Sequence, residues 1–252
     1  MNPATLDAFR AHAVADYPRE ACGLVVVAKG RERYRPCRNL ATTPSEHFVL
    51  AAEDYADAEE AGEIVAVMHS HPDAPACASE GDRVACEASG LPWWIVSVAP
   101  DADDTPSAGE LSCIEPSGYE APLVGRPFHH GVLDCWTLCR DWYAREWGLV
   151  LPDPQRHDNW WDDGRSDLYT ENLAAAGFVS VDAKDIQRGD LILMQIRSRN
   201  LVPNHAGIYL GDGLMLHHMY GRLSSRDVYG GYWLECTTSI ARYTMAYLGQ
   251  GR

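Results

Sequence analysis

The chain has 252 residues, of which 46% are hydrophobic and 23% charged, a composition typical of one large or two ordinary globular domains. The formal net charge of −15 argues against a nucleic-acid partner, because no surface here can neutralise a run of phosphates, and equally against binding to an anionic membrane. The first twenty residues hold acidic side chains and no continuous apolar core, so we expect no secretory signal and no membrane insertion.

The predicted elements of the first half alternate between helix and strand, which indicates an α/β layer structure. In chain order they are a helix at 4–17, a buried strand at 21–28 ended by a turn at Gly30, an acidic helix at 51–62, a strand at 64–71, a helix at 79–90, a strand at 93–98 and, after a loop at 99–109, a short strand at 110–115. Proline, glycine and little periodicity follow. We therefore expect a first domain at 1–116, a linker at 117–126 and a second domain at 127–252.

The second half places its helices before its strands, which predicts an α+β domain. The predicted elements are a helix from 134 to about 147, a helix from about 166 to 176, and strands at 190–196, 206–210 and 214–218. The last two strands are joined by Gly-Asp-Gly, a turn signal that predicts a hairpin.

Charge and cysteine content refine these expectations. Through Glu120 the chain has 8 Lys and Arg against 21 Asp and Glu, which favours a partner with a basic face or simply a solvated surface. The eight cysteines lack the spacing of a disulfide framework, so most are predicted to be reduced core residues.

The first half carries a cluster of zinc-ligand residue types. His69 and His71 occupy alternate positions of a predicted strand and so point to the same face, and Asp82 arrives from the first turn of the next helix. Three protein ligands leave one position for water, which is typical of a catalytic zinc site. Ser79 is the predicted N-cap of that helix and could also donate a hydrogen bond to an oxyanion. The alternative is a pair of ordinary strand histidines and a helix cap.

The pattern His-x-His-Pro, six residues, Ser-x-x-Asp resembles the JAMM motif of the JAB/MPN+ metalloproteases. The resemblance implies an α/β JAB/MPN-like domain that binds Zn²⁺ through His69, His71 and Asp82. It also implies that Ser79 assists catalysis and that Glu20, in Pro-Arg-Glu-Ala-Cys-Gly-Leu, is the catalytic glutamate.

The second half carries the residues of a cysteine nucleophile and its base. Cys135 follows Asp134 in the first turn of a predicted helix, where the helix dipole and free N–H groups stabilise a thiolate. His205 begins a strand, and the hairpin returns the chain to His217, which could orient the first imidazole. His218 is the alternative third member, since strand alternation sends only one of the two neighbours inward.

Asp-Cys at a helix start, His-x-Gly-Ile-Tyr in a strand and a polar residue twelve positions later resemble the NlpC/P60 cysteine peptidases. The resemblance implies a papain-like α+β domain with a triad of Cys135, His205 and His217. Trp136 departs from the family pattern, which usually has a small residue after the nucleophile, and this departure leaves the shape of the substrate groove open.

The two motifs in one chain resemble the tail-tip assembly proteins of lambda-like siphophages. That resemblance implies hydrolysis of (iso)peptide bonds in the first domain and of peptidoglycan stem peptides in the second. The implied partners are other tail-tip proteins, including a ubiquitin-like tail protein, and the implied location is the host cytoplasm during assembly and then the virion tail tip. The alternatives are a structural tail component whose sites do not turn over and a cellular wall hydrolase.

Overall fold

The computed structural model describes residues 1–244, which form two compact units with a division between Glu120 and Ala121. This division falls inside the segment that the sequence predicts as a linker. The start of that segment is held by the first unit, because the Glu87 carboxylate accepts hydrogen bonds from the backbone of Ser117 to Tyr119. Its end is held by the second unit, because the N–H of Gly125 donates to the carbonyl of Ser224.

The first unit is a five-stranded sheet covered by helices on both faces. Its elements are α1 (Pro3–Asp16), β1 (Cys22–Ala28), β2 (Arg31–Cys37), α2 (Ala52–Ala61), β3 (Glu63–Pro72), α3 (Glu80–Ser89), β4 (Trp93–Pro100) and β5 (Pro106–Ile114). The strand order is β2-β1-β3-β4-β5, in which β3 and β4 are parallel and the other neighbours antiparallel.

Alternation along the strands divides the first unit into two cores. On one face Val25 and Met68 pack with Phe9 of α1, and on the other Leu24 and Val67 pack with residues of α2 and α3. This arrangement confirms the predicted α/β architecture. The histidines of β3 share the parity of Val67, so they lie on the α3 side of the sheet.

The second unit is a six-stranded antiparallel sheet with α4 packed against it. Its elements are α4 (Cys135–Trp147), α5 (Leu168–Leu173), β6 (Phe178–Val181), β7 (Leu191–Met194), β8 (His205–Gly211), β9 (Leu214–His217), β10 (Ser225–Val228), α6 (Tyr232–Cys236) and β11 (Thr237–Tyr243). The strand order is β10-β9-β8-β7-β11-β6. The main core is rich in aromatic residues, among them Trp142, Tyr143 and Phe178. The α+β prediction is confirmed.

Some element boundaries differ from the sequence-based expectations. β2 was not expected, because its exposed arginines hide the apolar signal of a strand. β5 begins at Pro106, inside the predicted loop, and α5 is six residues long, shorter than the predicted helix. In residues 1–244 no helix combines the length and apolar character that a membrane crossing requires.

Candidate functional sites

The first site lies at the carboxyl end of β3. His69 and His71 project from one face of the strand, and Asp82 reaches them from the first turn of α3. The Nε2 atoms of the two histidines lie 3.1 Å apart, and the Asp82 carboxylate oxygens lie 3.2 Å from His69 Nε2 and 3.4 Å from His71 Nε2. The structure thus brings the three predicted ligands together at one point.

The spacing of these ligand atoms, 3.1 to 3.4 Å, is close to the geometry of zinc. A tetrahedral zinc ion with bonds of about 2.0–2.2 Å separates neighbouring ligand atoms by roughly 3.3–3.6 Å. Two imidazole nitrogens and one carboxylate oxygen are also the ligand types that zinc prefers in catalytic sites. The donor set therefore fits this ion.

Hydrogen bonds around the cluster orient two of the three ligands. His71 Nδ1 lies 2.9 Å from the carbonyl oxygen of Pro75, which can only accept, so Nδ1 carries the proton and Nε2 presents its lone pair to the site. The backbone N–H of Ser79 donates to Asp82 Oδ2 at 2.7 Å. The ring of His69 packs against those of Phe48 and Trp93, with centroids at 4.9 and 5.5 Å.

Burial and mutual hydrogen bonding set the charges of the cluster. Burial lowers the pKa of His69, which favours the neutral ring that a metal ligand needs. Burial would also lower the pKa of His71, but hydrogen bonds to Asp82 and Pro75 leave it above the usual value. Burial would raise the pKa of the Asp82 carboxyl, but hydrogen bonds to both histidines hold it well below its usual range.

Glu20 lies beside this cluster without belonging to it. The residue is only 6% exposed, and burial raises the pKa of its carboxyl to about 8. The charges of His71 and Asp82 act on it in opposite directions, which places the carboxyl within electrostatic range of both. A buried carboxyl that is not committed to the ligand set is what a general base requires.

Backbone contacts hold the Glu20 segment against β3. Ser70, between the two histidines, accepts from the N–H of Ala21 through its Oγ at 2.9 Å, and its own N–H donates to the Ala21 carbonyl at 2.9 Å. Asn39 donates to the Glu20 carbonyl at 3.0 Å. These two polar residues hold the backbone that carries the Glu20 side chain, and neither was predicted from the sequence, because their role depends on which strands are neighbours.

Ser79 acts as the N-cap of α3. Its hydroxyl oxygen accepts from the N–H of Asp82 at 3.0 Å, and the Asp82 carboxylate accepts from the N–H of Ser79, which completes a capping box. The predicted cap is confirmed, and the same bonds orient a ligand. The contribution of the Ser79 hydroxyl to catalysis stays a prediction.

The second site lies at the start of α4. Asp134 is the N-cap, and Cys135 is the first helical residue, with its Sγ atom 3.4 Å from the hydroxyl of Tyr169. The β8–β9 hairpin brings His205 Nε2 to 3.0 Å from His217 Nδ1. The alternative residue, His218, instead packs its ring against Phe128, with centroids 5.1 Å apart.

The charge state of Cys135 differs from the sequence-based expectation. Burial and the neighbouring Asp134 carboxylate raise the pKa of the thiol to about 11, and hydrogen bonds from Tyr169 and the backbone N–H of Ala206 oppose this only in part. Burial and Asp134 thus oppose the stabilisation of a thiolate that is expected at this helix terminus, and the role of Cys135 as nucleophile stays a prediction. Burial, with the charges of His217 and His218, lowers the pKa of His205 to about 3. The resting pair is a neutral thiol and a neutral imidazole.

Trp136, the departure from the family pattern, is a core residue. It is 5% exposed, and its indole N–H donates to the carbonyl of Pro152 at 3.1 Å. The bulky side chain thus points away from solvent.

Asp227 on β10 extends the pair of histidines. Its Oδ2 lies 2.9 Å from His217 Nε2. Asp227 was not predicted from the sequence, because β10 is four residues of mostly polar character and carries no strand signal.

The sequence matches the models of two protein families. Residues 2–108 match the prokaryotic homologs of the JAB domain, and residues 125–242 match the NlpC/P60 family. The tail tip assembly protein K of Escherichia phage N15 is 46% identical over 244 residues, 96% of this chain and 96% of that protein. The protein of the same name from Escherichia phage lambda is 41% identical over 194 residues, 77% of this chain and 89% of that protein. A solved NLP/P60-family structure from Staphylococcus aureus, described as similar to lipoprotein, is 19% identical over 48% of this chain and 37% of that chain, with a TM-score of 0.34.

Proposed function

Because the chain belongs to the family of the phage tail tip assembly protein K and joins a JAB-type domain to an NlpC/P60 domain, we propose that it carries two peptidase sites. The second site cleaves stem peptides of the bacterial cell wall, and the first hydrolyses a peptide or isopeptide bond in a tail protein. The observation that carries the proposal is the hydrogen bond of 3.0 Å between His205 and His217, which orients an imidazole on the strand whose Ala206 N–H donates to the Cys135 thiol.

In the second site the chemistry follows from a neutral thiol and a neutral imidazole. As the Cys135 sulfur attacks the carbonyl carbon, His205 accepts the thiol proton, and the imidazolium then donates it to the leaving amine. Water then attacks the remaining thioester and gives a proton to His205. The imidazolium passes this proton to the departing sulfur, which regenerates the thiol. The substrate class suggested by the family is a stem-peptide bond between γ-D-glutamyl and diaminopimelate residues.

In the first site His69, His71 and Asp82 would hold the zinc ion. A bound zinc ion supplies Lewis acidity, which polarises a carbonyl and lowers the pKa of water towards about 7. Glu20 would accept a proton from water and pass it to the leaving amine, and the Ser79 hydroxyl would donate to the developing oxyanion.

The name shared by the relatives suggests where these reactions are used. We propose that the protein acts with other tail-tip proteins in the host cytoplasm and then in the virion tail, and that a ubiquitin-like tail protein is the substrate of the first site. A structural tail component with silent sites is the alternative.

Digestion of purified peptidoglycan tests the proposal. The intact protein, Cys135→Ala and the matched control Cys77→Ala, whose cysteine is exposed, are incubated with the wall, and released fragments are identified by mass spectrometry. We expect stem-peptide fragments from the intact protein and the control, with or without a zinc chelator, and none from Cys135→Ala. Release that survives Cys135→Ala removes the thiol from the mechanism, and no release from any protein favours the structural role.

A further inference from the structure

Three polar side chains on consecutive strands of the second sheet form a line of hydrogen bonds. His205 on β8 contacts His217 on β9 at 3.0 Å, and His217 contacts Asp227 on β10 at 2.9 Å. The register pairs Asp227 with Met215, two positions from His217 on the same face of β9. Asp227 therefore reaches the imidazole diagonally across the strand pair, as same-face neighbours do.

The Asp227 carboxylate, at the end of this line, determines which ring nitrogen of each neutral histidine carries the proton. An ionised carboxylate can only accept, so Nε2 of His217 carries a proton and its Nδ1 holds a lone pair. That lone pair can only accept, so Nε2 of His205 carries a proton and donates to it. The proton of neutral His205 is thus on Nε2, and its Nδ1 is left as the atom that can take a proton from a thiol.

We propose that Asp227 is a positioning residue that fixes the tautomers of His217 and His205 and so leaves His205 Nδ1 free to accept the thiol proton of Cys135. This inference rests on the proposed cysteine peptidase function. The acid–base step itself is unchanged: the thiol S–H bond breaks, an N–H bond forms at Nδ1, and the electron pair left on sulfur attacks the carbonyl carbon.

The surroundings of the line suit this role. The His217 side chain is 3% exposed and the Asp227 side chain 36%, so the carboxylate keeps contact with water while the rings lie inside. Trp233 of α6 covers His217 edge-on, with centroids 4.4 Å apart, which restricts rotation of the ring. Other charged groups act on the pair more weakly than burial does: Asp134 and His218 on His205, and Arg222 on His217.

Two measurements on the full chain test the proposal. Nitrogen-15 NMR of the histidine rings reports which nitrogen carries the proton, and the rate of Cys135 alkylation by iodoacetamide reports how readily the thiol loses its own. Both are recorded for the wild type, for Asp227→Asn and for the control Asp212→Asn, which removes the same charge at the β8–β9 turn, at the opposite end of β9 from His217. Peptidoglycan release is measured alongside.

We expect protons on Nε2 of both histidines in the wild type and in Asp212→Asn. In Asp227→Asn we expect His217 to be protonated partly on Nδ1, and both alkylation and fragment release to fall by about 10²-fold. An Nδ1 proton on wild-type His217 overturns the proposal whether or not the variant folds, as does a variant with unchanged alkylation. If the tautomers and alkylation respond as expected but the wild type releases no fragments, the proposed function fails and the positioning role stands.

Discussion

The hydroxyl of Tyr169 is the side-chain group that most directly favours the Cys135 thiolate. It lies 3.4 Å from Sγ and lowers the pKa of a thiol that burial and Asp134 raise to about 11. Loss of the hydroxyl therefore raises that pKa further. Below the pKa the thiolate fraction grows tenfold with each pH unit, so we expect Tyr169→Phe to alkylate about threefold to tenfold more slowly at any pH between 7 and 10.

The measurement is the iodoacetamide rate at Cys135, followed by mass spectrometry of the labelled peptide across that pH range. The alkylation rates of the wild type and of Tyr169→Phe should both rise with pH, and the rate–pH curve of the variant should be shifted to higher pH. Tyr220→Phe, at a tyrosine that is 76% exposed, is the matched control. A variant that reacts as fast as the wild type would show that the hydroxyl has no influence on the thiol.

Zinc content separates the ligands of the first site from its base. His71→Ala removes one of three ligand atoms, so we expect its zinc-to-protein ratio to fall to about one tenth or less after dialysis. Glu20→Gln leaves all three ligands in place, so we expect a ratio near that of the wild type, as in the control Glu46→Gln at an exposed position. Atomic absorption gives these ratios. Zinc loss in Glu20→Gln would make Glu20 a ligand.

The first-site residues predicted from spacing alone are those whose partners lie close together in the chain, whereas Glu20 and the pairing of Cys135 with His205 came from family resemblances. His69, His71, Asp82 and Ser79 fall within fourteen positions, and their elements are adjacent in the chain. Asp227, Tyr169 and Asn39 were not predicted, because each reaches its partner through strand pairing or helix packing that spacing does not encode. The direction of the Cys135 pKa was also missed, since burial cannot be read from the position of a residue at a helix start.

At the level of elements, three of the strands predicted from sequence lie in the interior of the first sheet. β1, β3 and β4 carry apolar runs that leave little choice of structure. The strands β6 and β10 are only four residues long and partly exposed, β10 is also mostly polar, and β2 is an edge strand with arginines at alternate positions. Such strands are stabilised by backbone pairing with a neighbour, which periodicity does not report.

Glu87 of α3 holds the segment that follows β5 against this helix. Its carboxylate accepts from the N–H groups of Ser117, Gly118 and Tyr119 at 2.6, 3.0 and 3.0 Å. These backbone hydrogen bonds lower the pKa of Glu87 to about 2. A lowered pKa stabilises the folded form fully above the ordinary value of 4.5, and this contribution is lost as the pH falls from there through about 2.

We expect Glu87→Gln to speed amide hydrogen exchange at residues 117–119 by about fivefold or more at pH 6, because a neutral amide is a weaker acceptor than a carboxylate. Exchange is followed by NMR, with Glu60→Gln on α2 as the control. In the wild type the protection of the same amides should decline as the pH is lowered below 4.5. Equal protection in the variant at pH 6 would show that the carboxylate charge does not hold the segment.

At the scale of the whole molecule, each unit has its own hydrophobic cores. Two clusters on opposite faces of one sheet serve the first unit, and the aromatic cluster around α4 with a smaller one serves the second. Charge divides in the same way: Asp and Glu exceed Lys and Arg by 21 to 8 through Glu120 and by only 15 to 13 beyond it. This excess favours a partner with a basic face at the first unit or a solvated surface there.

Separate cores imply that metal binding stabilises only the unit that binds it. Zinc at 100 times its dissociation constant adds about 2.7 kcal/mol to the folded state, or roughly 10 °C for a unit of this size. We expect calorimetry of the zinc-loaded chain to show two transitions, of which a chelator lowers one by roughly that amount. The other transition should not move.

His71→Ala serves as the control. Its first unit should already unfold at the lower transition temperature and should not respond to chelator. If both transitions fall together in the wild type, the two units do not unfold independently, and if neither moves, zinc adds nothing to the stability of the first.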